Sequence, residues 1–333
     1  MALLTNEELD REVDGMLMRS WAPSTSKQTL SIFLAFRGKC RRRGWPYMPT
    51  DERTLLRYGA LIRKTTEMKA QSFTAVLYGI RRMHSANGMA LDITEQAMPR
   101  LARFKKTWAK EQGDKRDRIA ITREVLDDLL WCLVPSHPDT KVWRALFLMA
   151  QHAMLRVSEY SYGTGANAPS INALRWIPGP ENPKQLVLYF RKSKMNQTGN
   201  LERGICICRC PEACAVHAVK EMLRARNRAD GNASLFRLSD WSLPTAATIN
   251  AKLRALANAA GYDADLVASH MLRAGGITDA VRGGLPDSVV TELSRHKAVD
   301  SLASYKRFTD EVLGDVVRSY GNHPANTKRT PRR

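Results

Sequence analysis

The second half of the chain alternates long helical stretches with one short block of β-like sequence, and this pattern restricts the fold more than any other feature. Three apolar segments in that block have the length and composition of strands: I-N-A-L-R-W-I, Q-L-V-L-Y-F-R and E-R-G-I-C-I-C, at 171–177, 185–191 and 202–208. Elsewhere apolar residues recur at helical spacing. The sequence therefore predicts a mainly α fold with one small β-sheet.

The first third of the chain is predicted to be a separate helical domain, residues 1–112. Apolar residues recur at helical spacing in T-L-S-I-F-L-A-F and in S-F-T-A-V-L-Y-G-I-R-R-M. Turn-forming residues separate its helices at Ala22-Pro23, at Gly44-Trp45-Pro46 and at Asn87-Gly88.

A polar segment, G-D-K-R-D-R at residues 113–118, lacks periodicity and is predicted to link two domains. The second domain is predicted to span residues 119–320. The remaining residues, 321–333, are rich in basic and polar side chains and are predicted to be a disordered tail.

The net charge of the chain is +19, and the excess is spread along its length. Residues 1–118 contain 23 Lys and Arg against 13 Asp and Glu, and the rest of the chain carries +9. This distribution favours a long polyanion enclosed by two basic domains, although a generally basic protein is the simpler alternative. No run of about 18 apolar residues is present, and the N-terminus has no signal pattern, so we expect an intracellular protein without a membrane partner.

Basic clusters follow apolar helical faces in the first domain and are candidate DNA contacts. The alternative is that they are solvated helix ends. The candidates are Arg41, Arg42, Arg43, Arg81, Arg82, Lys105 and Lys106.

An arginine interrupts an apolar stretch in M-A-Q-H-A-M-L-R-V-S-E-Y, where Arg156 precedes Glu159 by three residues. One interpretation is a local helical ion pair. The other is a guanidinium that Glu159 orients toward a phosphate, since its planar fork can contact two oxygens.

A second group of polar residues occurs in S-H-M-L-R-A-G-G, where His270 and Arg273 share one face of a predicted helix. Ser269 is a candidate N-cap for that helix. Gly275 and Gly276 would let another backbone approach closely. Further along, S-R-H-K and S-Y-K-R-F supply an imidazole and a phenol, and phosphate chemistry on a nucleic acid needs such a set.

The ordered set of these residues resembles the tyrosine recombinase family, also called the lambda-integrase or phage-integrase family. The family pattern is an R-x-x-E box, a lysine in a β-hairpin turn, H-x-x-R, a His or Trp, and a nucleophilic Tyr. This sequence has the same order: Arg156-Val-Ser-Glu159, a lysine in K-S-K, His270-Met-Leu-Arg273, His296 and Tyr305. The likeness is strong over 119–320, whereas residues 1–112 resemble the family's core-binding domain only in being helical.

The resemblance implies a fold in which a helical core-binding domain and an α+β catalytic domain form a C-shaped clamp on DNA. It implies that Tyr305 attacks a DNA phosphorus and forms a 3′-phosphotyrosyl link, while Arg156 and Arg273 hold the non-bridging oxygens. Lys194, preferred over Lys192 because it lies deeper in the turn, would protonate the leaving 5′ oxygen.

The same resemblance implies that His270 accepts the phenol proton, that His296 donates to a phosphate oxygen and that Glu159 orients Arg156. It implies neither a metal nor any other cofactor.

A cluster of potential metal ligands lies between the β-like block and the next helix. Zinc and reduced packing cysteines are alternative interpretations, and the absence of C-x-x-C spacing favours the second. The cluster is formed by Cys206, Cys208, Cys210, Cys214 and His217.

The expected partner is double-stranded DNA with an inverted-repeat site. An apolar stripe at Val312, Leu313, Val316 and Val317 is a candidate exchange helix, which would link a homotetramer on two DNA sites from a free monomer. The leading expectation is a site-specific recombinase or integrase of a mobile element. The alternatives are a DNA-relaxing enzyme similar to type IB topoisomerases and a DNA-binding protein that has lost catalysis.

Overall fold

The structure, a computed structural model, describes residues 5–113, 118–163, 169–190, 202–207, 214–226 and 233–296. The chain divides into two compact units, and the division falls between residues 116 and 117. In the described residues no helix is both long and apolar enough to cross a membrane.

The described part of the first unit is entirely helical. Its elements are α1 (Asn6–Arg19), α2 (Pro23–Arg41), α3 (Glu52–Thr65), α4 (Ala70–Ala86) and α5 (Pro99–Glu111). As predicted, Gly44-Trp45-Pro46 and Asn87-Gly88 fall between these helices, and Ala22-Pro23 marks the start of α2.

Local side chains define where these helices start. Thr5 and Glu8 form a capping box at α1, in which the Glu8 N–H donates to Thr5 Oγ1 at 3.3 Å and the Thr5 N–H donates to Glu8 Oε2 at 2.8 Å. Asp51 Oδ1 accepts from the Thr54 N–H at 2.7 Å and caps α3. Proline occupies the first turn of both α2 and α5, where the missing N–H costs nothing.

Aromatic side chains form the centre of the first core. The rings of Phe36 and Tyr58 pack edge to face with centroids 4.9 Å apart, and those of Phe73 and Trp108 lie 5.4 Å apart. A Cβ at Gly59 would come within 2.9 Å of the Phe73 ring, so glycine lets α3 approach this cluster.

The second unit surrounds one apolar helix. Its described helices are α6 (Arg123–Trp131), α7 (Thr140–His152), α8 (Val157–Tyr160), α9 (Ala215–Ala225), α10 (Ala246–Ala259), α11 (His270–Arg282) and α12 (Asp287–Ser294). Most of α7 is buried, and it packs against α9 and α11. This helix is the W-R-A-L-F-L-M-A stretch, which is apolar on nearly every face as a buried helix must be.

The predicted sheet is present as three antiparallel strands in the order β1-β2-β3. They are β1 (Leu174–Ile177), β2 (Gln185–Phe190) and β3 (Glu202–Ile207). Leu188 pairs with Leu174 on one side and with Gly204 on the other. Leu186 and Leu188 belong to the second core, and Val187 between them is also buried, so the centre of β2 is covered on both faces.

The first strand is shorter than predicted. Ile171–Ala173 form a 3₁₀ turn instead, and the Ile171 N–H donates to the Ala233 carbonyl at 3.0 Å. Because this hydrogen bond leads away from β2, pairing with β2 begins only at Leu174.

The close approach predicted at Gly275 and Gly276 is confirmed. A Cβ on Gly275 would lie 1.6 Å from the Ile121 carbonyl oxygen, and one on Gly276 would lie 2.2 Å from that of Gln151. The Ile121 N–H donates to the Met271 carbonyl at 3.0 Å. These glycines therefore let α11 contact the start of the second unit and α7 directly, which places the first turn of α11.

Candidate active site

Four of the six predicted catalytic residues lie in the described part of the chain, each at or near a helix end. Arg156 immediately precedes α8, His270 begins α11, Arg273 lies one turn later and His296 follows α12. Outside the described residues lie the two candidate lysines and the candidate nucleophile, Lys192, Lys194 and Tyr305.

The short loop between α7 and α8 supplies backbone acceptors to this region. α7 ends at His152, and Met154 then adopts a left-handed conformation with φ 48°. Carbonyls at and just beyond a helix C-terminus lack intrahelical partners and attract cations. The carbonyls of Ala153 and Met154 accept hydrogen bonds from arginine side chains.

The local pair of Arg156 and Glu159 is present. Arg156 Nη1 donates to Glu159 Oε1 at 2.9 Å, and the Arg156 backbone N–H donates to Oε2 at 2.8 Å. Arg156 Nη2 also donates to the Arg295 carbonyl at 2.8 Å. The Glu159 side chain is 1% exposed and that of Arg156 is 17% exposed, so a buried carboxylate holds a guanidinium that reaches solvent.

Arg273 connects the α7–α8 loop to the end of α12. The residue is 1% exposed, and its Nη1 donates to the Met154 carbonyl at 2.5 Å. Its Nη2 donates to the Ser294 carbonyl and lies 3.3 Å from His296 Nε2. A buried guanidinium needs such partners, since an unpaired charge would be strongly destabilising.

The hydrogen bonds around His296 define its tautomer. Arginine can only donate, so His296 Nε2 accepts from Arg273. The proton then lies on Nδ1, which donates to Ser294 Oγ at 2.6 Å. Donation from Nε2 to a phosphate oxygen requires a proton at that nitrogen, and this role of His296 stays a prediction.

Both histidines have lowered pKa values. Burial and the neighbouring guanidiniums of Arg273, Arg156 and Arg295 lower the pKa of His296 to about 4. The pKa of His270 is also lowered, first by desolvation and then by Arg273, Arg118 and Arg156, although part of the residue remains exposed. Both rings are therefore neutral near pH 7. A neutral imidazole is the form that can accept a proton.

Ser269 occupies the predicted N-cap position of α11, but the capping role is wrong. Its side chain makes no capping hydrogen bond, and its backbone is helical with φ −54° and ψ −31°. Its N–H instead donates to Asn250 Oδ1 at 2.7 Å, and its carbonyl accepts from the Tyr160 hydroxyl at 3.2 Å. Contacts from two other helices therefore hold the start of α11.

Sequence reasoning missed Arg295. This residue ends α12 with φ 58°, and its Nη2 donates to Glu159 Oε2 at 2.8 Å. In the segment S-R-H-K, the sequence predicted a site role for His296 alone. No local spacing links Arg295 to a partner that lies 136 residues earlier.

The candidate DNA-contacting residues of the first unit occupy three separate elements. Arg41 ends α2, with Arg42 and Arg43 just after it, and the other two pairs lie on α4 and α5. All are exposed or half-buried. The Arg43 guanidinium lies 5.4 Å from the centre of the Trp45 ring, and Lys106 pairs with Glu95 at 2.7 Å on the surface.

The cysteine cluster is only partly described. Cys206 and Cys214 are free and buried in the second core, and burial together with the neighbouring Cys214 raises the pKa of Cys206 to about 12. Among the residues that the structure describes, no three His, Cys, Asp or Glu side chains are grouped as metal ligands. Cys206, Cys214 and His217 therefore form no metal site by themselves, and Cys208 and Cys210 lie outside the described residues.

No protein-family model matches the sequence, and no curated protein matches it either. Solved structures do match. The Tn1549 transposon integrase in complex with transposon right end DNA is 12% identical at a TM-score of 0.56, over 87% of this chain and 99% of that one. A lambda integrase dimer bound to a COC′ core site is 17% identical at a TM-score of 0.55, over 92% and 98%.

A third similar structure is the XerH site-specific recombinase bound to a palindromic difH substrate in a post-cleavage complex. It is 15% identical at a TM-score of 0.54, over 81% of this chain and 70% of that one. Such identities establish the fold and not the activity. With its mainly helical architecture and three-stranded antiparallel sheet, the chain has the fold of the tyrosine recombinases.

Proposed function

We propose that this protein is a site-specific DNA recombinase that cuts and rejoins DNA through a 3′-phosphotyrosyl intermediate. The observation that carries the proposal is the convergence of Arg156, Arg273 and His296. These residues come from distant parts of the sequence, and their side chains meet around the α7–α8 loop. They meet in a fold shared with recombinases whose structures contain DNA.

The arginines would bind the non-bridging oxygens of the scissile phosphate. Each is held by acceptors of the protein itself: Glu159 and a carbonyl for Arg156, and two carbonyls for Arg273. A guanidinium fixed in this way needs little reorganisation when negative charge develops on the phosphate.

In the proposed step, the Tyr305 hydroxyl oxygen forms a bond to phosphorus and the bond from phosphorus to the 5′ oxygen breaks. The phenol proton passes to His270, and Lys194 gives a proton to the departing 5′ oxygen. One phosphodiester replaces another, so rejoining needs no added energy source. The lowered pKa of His270 supports its role as acceptor, since the ring is neutral before the step.

The proposed substrate is double-stranded DNA with an inverted repeat, and the protein would be DNA-associated in the cell. The net charge of +19 supports a polyanionic partner. We propose that residues 1–112 and 119–320 act as core-binding and catalytic domains joined by 113–118. Four copies would join two DNA sites, each copy being a monomer before it binds DNA.

The test begins with the unknown target. DNA bound by the protein is selected from a random duplex pool, and the recovered inverted repeat is rebuilt as a nicked duplex in which cleavage releases a short strand. The wild type should form a covalent protein–DNA band that Tyr305→Phe abolishes. The matched control is Tyr78→Phe in the first unit, where the phenol of Tyr78 reaches solvent, and it should retain the band.

The two candidate lysines can be separated chemically. Replacing the 5′ bridging oxygen with sulfur gives a leaving group that needs no proton. Lys194→Ala should lose cleavage of the ordinary duplex and recover it with the sulfur-containing one, whereas Lys192→Ala should cleave both. The reverse result would assign the proton donor to Lys192.

Other outcomes distinguish the alternatives. Relaxation of a single plasmid without exchange between two sites would favour the topoisomerase-like activity. Sequence-specific binding with no covalent band would favour a protein that has lost catalysis.

A further inference from the structure

Arg295 stands at the junction of the proposed catalytic residues. It is the C-cap residue that follows α12, and His296 comes directly after it. Its side chain is 9% exposed. In the described structure the guanidinium donates to three backbone carbonyls: Leu293 at 3.1 Å, Ala153 at 3.2 Å and Met154 at 3.1 Å.

One carboxylate joins Arg295 to Arg156. Glu159 Oε2 accepts from Arg295 Nη2 at 2.8 Å, while Oε1 accepts from Arg156 Nη1 at 2.9 Å. The Arg295 carbonyl also accepts from Arg156 Nη2 at 2.8 Å. Arg295 therefore reaches Arg156 twice, once through its side chain and once through its backbone.

Arg295 is linked to Arg273 in a similar way. The Met154 carbonyl accepts from both guanidiniums, from Arg273 at 2.5 Å and from Arg295 at 3.1 Å. Arg273 in turn contacts His296. The α7–α8 loop, the end of α12 and both proposed phosphate-binding arginines thus share one hydrogen-bonded network.

The backbone conformation singles out this side chain. Arg295 has φ 58° and ψ 42°, a left-handed conformation that glycine adopts freely and other residues adopt at a cost. Glycine would end α12 with less strain. The contacts of the guanidinium offset that strain, and they are contacts that glycine cannot make.

We propose that Arg295 is a positioning residue, which fixes Arg156 and His296 relative to each other by clamping Glu159 and the α7–α8 loop. The inference deepens the proposed function and rests on it for its effect on DNA cleavage. The clamp itself is a property of the protein without DNA.

The experiment compares Arg295→Gly, Arg295→Lys and a matched control, Arg226→Ala. Glycine suits the left-handed backbone, so that variant removes the side chain without adding strain. Lysine keeps the charge but lacks the planar fork that spans carboxylate and carbonyls. Arg226 is the control because it also ends a helix, α9, and donates to the Leu235 and Arg237 carbonyls at 2.6 and 2.7 Å, away from the site.

Cleavage is measured on the nicked duplex at saturating DNA, alongside DNA affinity. Both Arg295 variants should cleave about 100-fold more slowly, with affinity within a few-fold of wild type, because misplaced catalytic groups lower the rate more than the binding. Arg226→Ala should cleave at the wild-type rate. Arg295→Gly and Glu159→Gln should also be non-additive when combined, since they interrupt one network. A wild-type cleavage rate in folded Arg295→Gly would overturn the proposal.

A second measurement needs no DNA and so separates this inference from the proposed function. The ring of His296 is titrated by NMR in each variant. Arg295→Gly should raise its pKa from about 4 toward the ordinary value, because a cation is lost and the ring is less firmly buried. Arg226→Ala should leave the titration unchanged. If the wild type forms no covalent band, an unchanged His296 titration in Arg295→Gly still overturns the clamp.

Discussion

The two units use the same basic side chains in opposite ways. In the second unit, Arg273 is 1% exposed and is held by backbone carbonyls and a histidine. In the first unit, Arg41, Arg42 and Arg43 are exposed at the end of α2, and Arg43 lies over the Trp45 ring. One set is fixed by the protein, whereas the other faces solvent.

Buried and exposed cations stabilise negative charge in different ways. A fixed and desolvated guanidinium can stabilise a transition state because its position and environment are set before the substrate arrives. The interaction of one exposed cation with a phosphate is weakened by salt and contributes little free energy. Several exposed cations together nevertheless supply affinity for a polyanion. Site residues should therefore be sensitive to geometry, and surface residues only to charge.

The largest expected effect is that of Arg273→Lys on the rate of DNA cleavage. A lysine keeps the charge but cannot reach the Met154 and Ser294 carbonyls and His296 together. Covalent complex formation on the nicked duplex, at saturating DNA, should fall about 10³-fold. Arg42→Lys, which also keeps charge, should react at the wild-type rate. A fall in rate of tenfold or less in Arg273→Lys would contradict the proposed difference between buried, fixed arginines and exposed ones.

The next largest effect concerns stability and compares one glycine from each unit, Gly275 and Gly38. Gly275→Ala would place a Cβ 1.6 Å from the Ile121 carbonyl oxygen, so α11 must move. We expect the free energy of unfolding to fall by about 3 kcal/mol or more. Gly38→Ala in α2 meets no atom within 4 Å and should gain up to about 1 kcal/mol from helix propensity. Urea denaturation of both variants measures the difference, and equal losses would contradict it.

The pH dependence of stability should depend on His296. Its pKa is about 4 in the folded protein, below the ordinary value of 6.5 for histidine, so the unfolded state binds a proton more readily. Stability is then fully present above pH 6.5 and is lost as the pH falls toward 4. Because the ring is only half-buried, screening reduces the loss to roughly 1–2 kcal/mol.

Denaturation at pH 7 and pH 5 tests this dependence in the wild type and in His296→Gln. The variant should lose less stability on acidification than the wild type. Asp279 acts in the opposite direction, since burial raises its pKa from 3.8 to about 6 and the folded state gains a proton in that range. Asp279→Asn should therefore increase the loss of stability between pH 7 and pH 5. A smaller loss than in the wild type would contradict the raised pKa of Asp279.

The smallest expected effect is the loss of DNA affinity when the exposed arginines at the end of α2 are replaced. Replacing Arg41, Arg42 and Arg43 one at a time with alanine should weaken DNA binding by a few-fold each. The slope of log affinity against log salt should fall by about 0.9 for each lost phosphate contact. Cleavage at saturating DNA should not change. Titrations at several salt concentrations measure the slope, and an unchanged slope in all three would place the DNA contacts elsewhere.

Much of the architecture could be predicted because its signals are local. A short apolar run with strand composition marked β2, turn residues marked the breaks between helices, and consecutive glycines marked the close approach of α11. The pair of Arg156 and Glu159 was visible for the same reason, since the two residues are three positions apart.

Features that depend on distant contacts could not be predicted from local sequence. Ser269 has the sequence of a cap, yet Asn250 and Tyr160 bind its backbone and leave the side chain without a capping role. The proton position on His296 also depends on a distant residue, because Arg273 makes its Nε2 an acceptor. The role of His296 toward a phosphate oxygen stays a prediction. In each case a residue from another helix decided the chemistry.

The sequence by itself determined the helical first unit, the small sheet and the identity and order of the candidate site residues. Local propensity predicts the elements, and the resemblance to the tyrosine recombinases supplies the order of the candidate residues. Neither needs knowledge of packing. Only the tertiary structure decided that Arg295 joins the site, 139 residues from Arg156, and that the carbonyls after α7 hold both it and Arg273. Buried charges and unpaired carbonyls must find partners wherever the packed helices bring them together, and no sequence spacing records that choice.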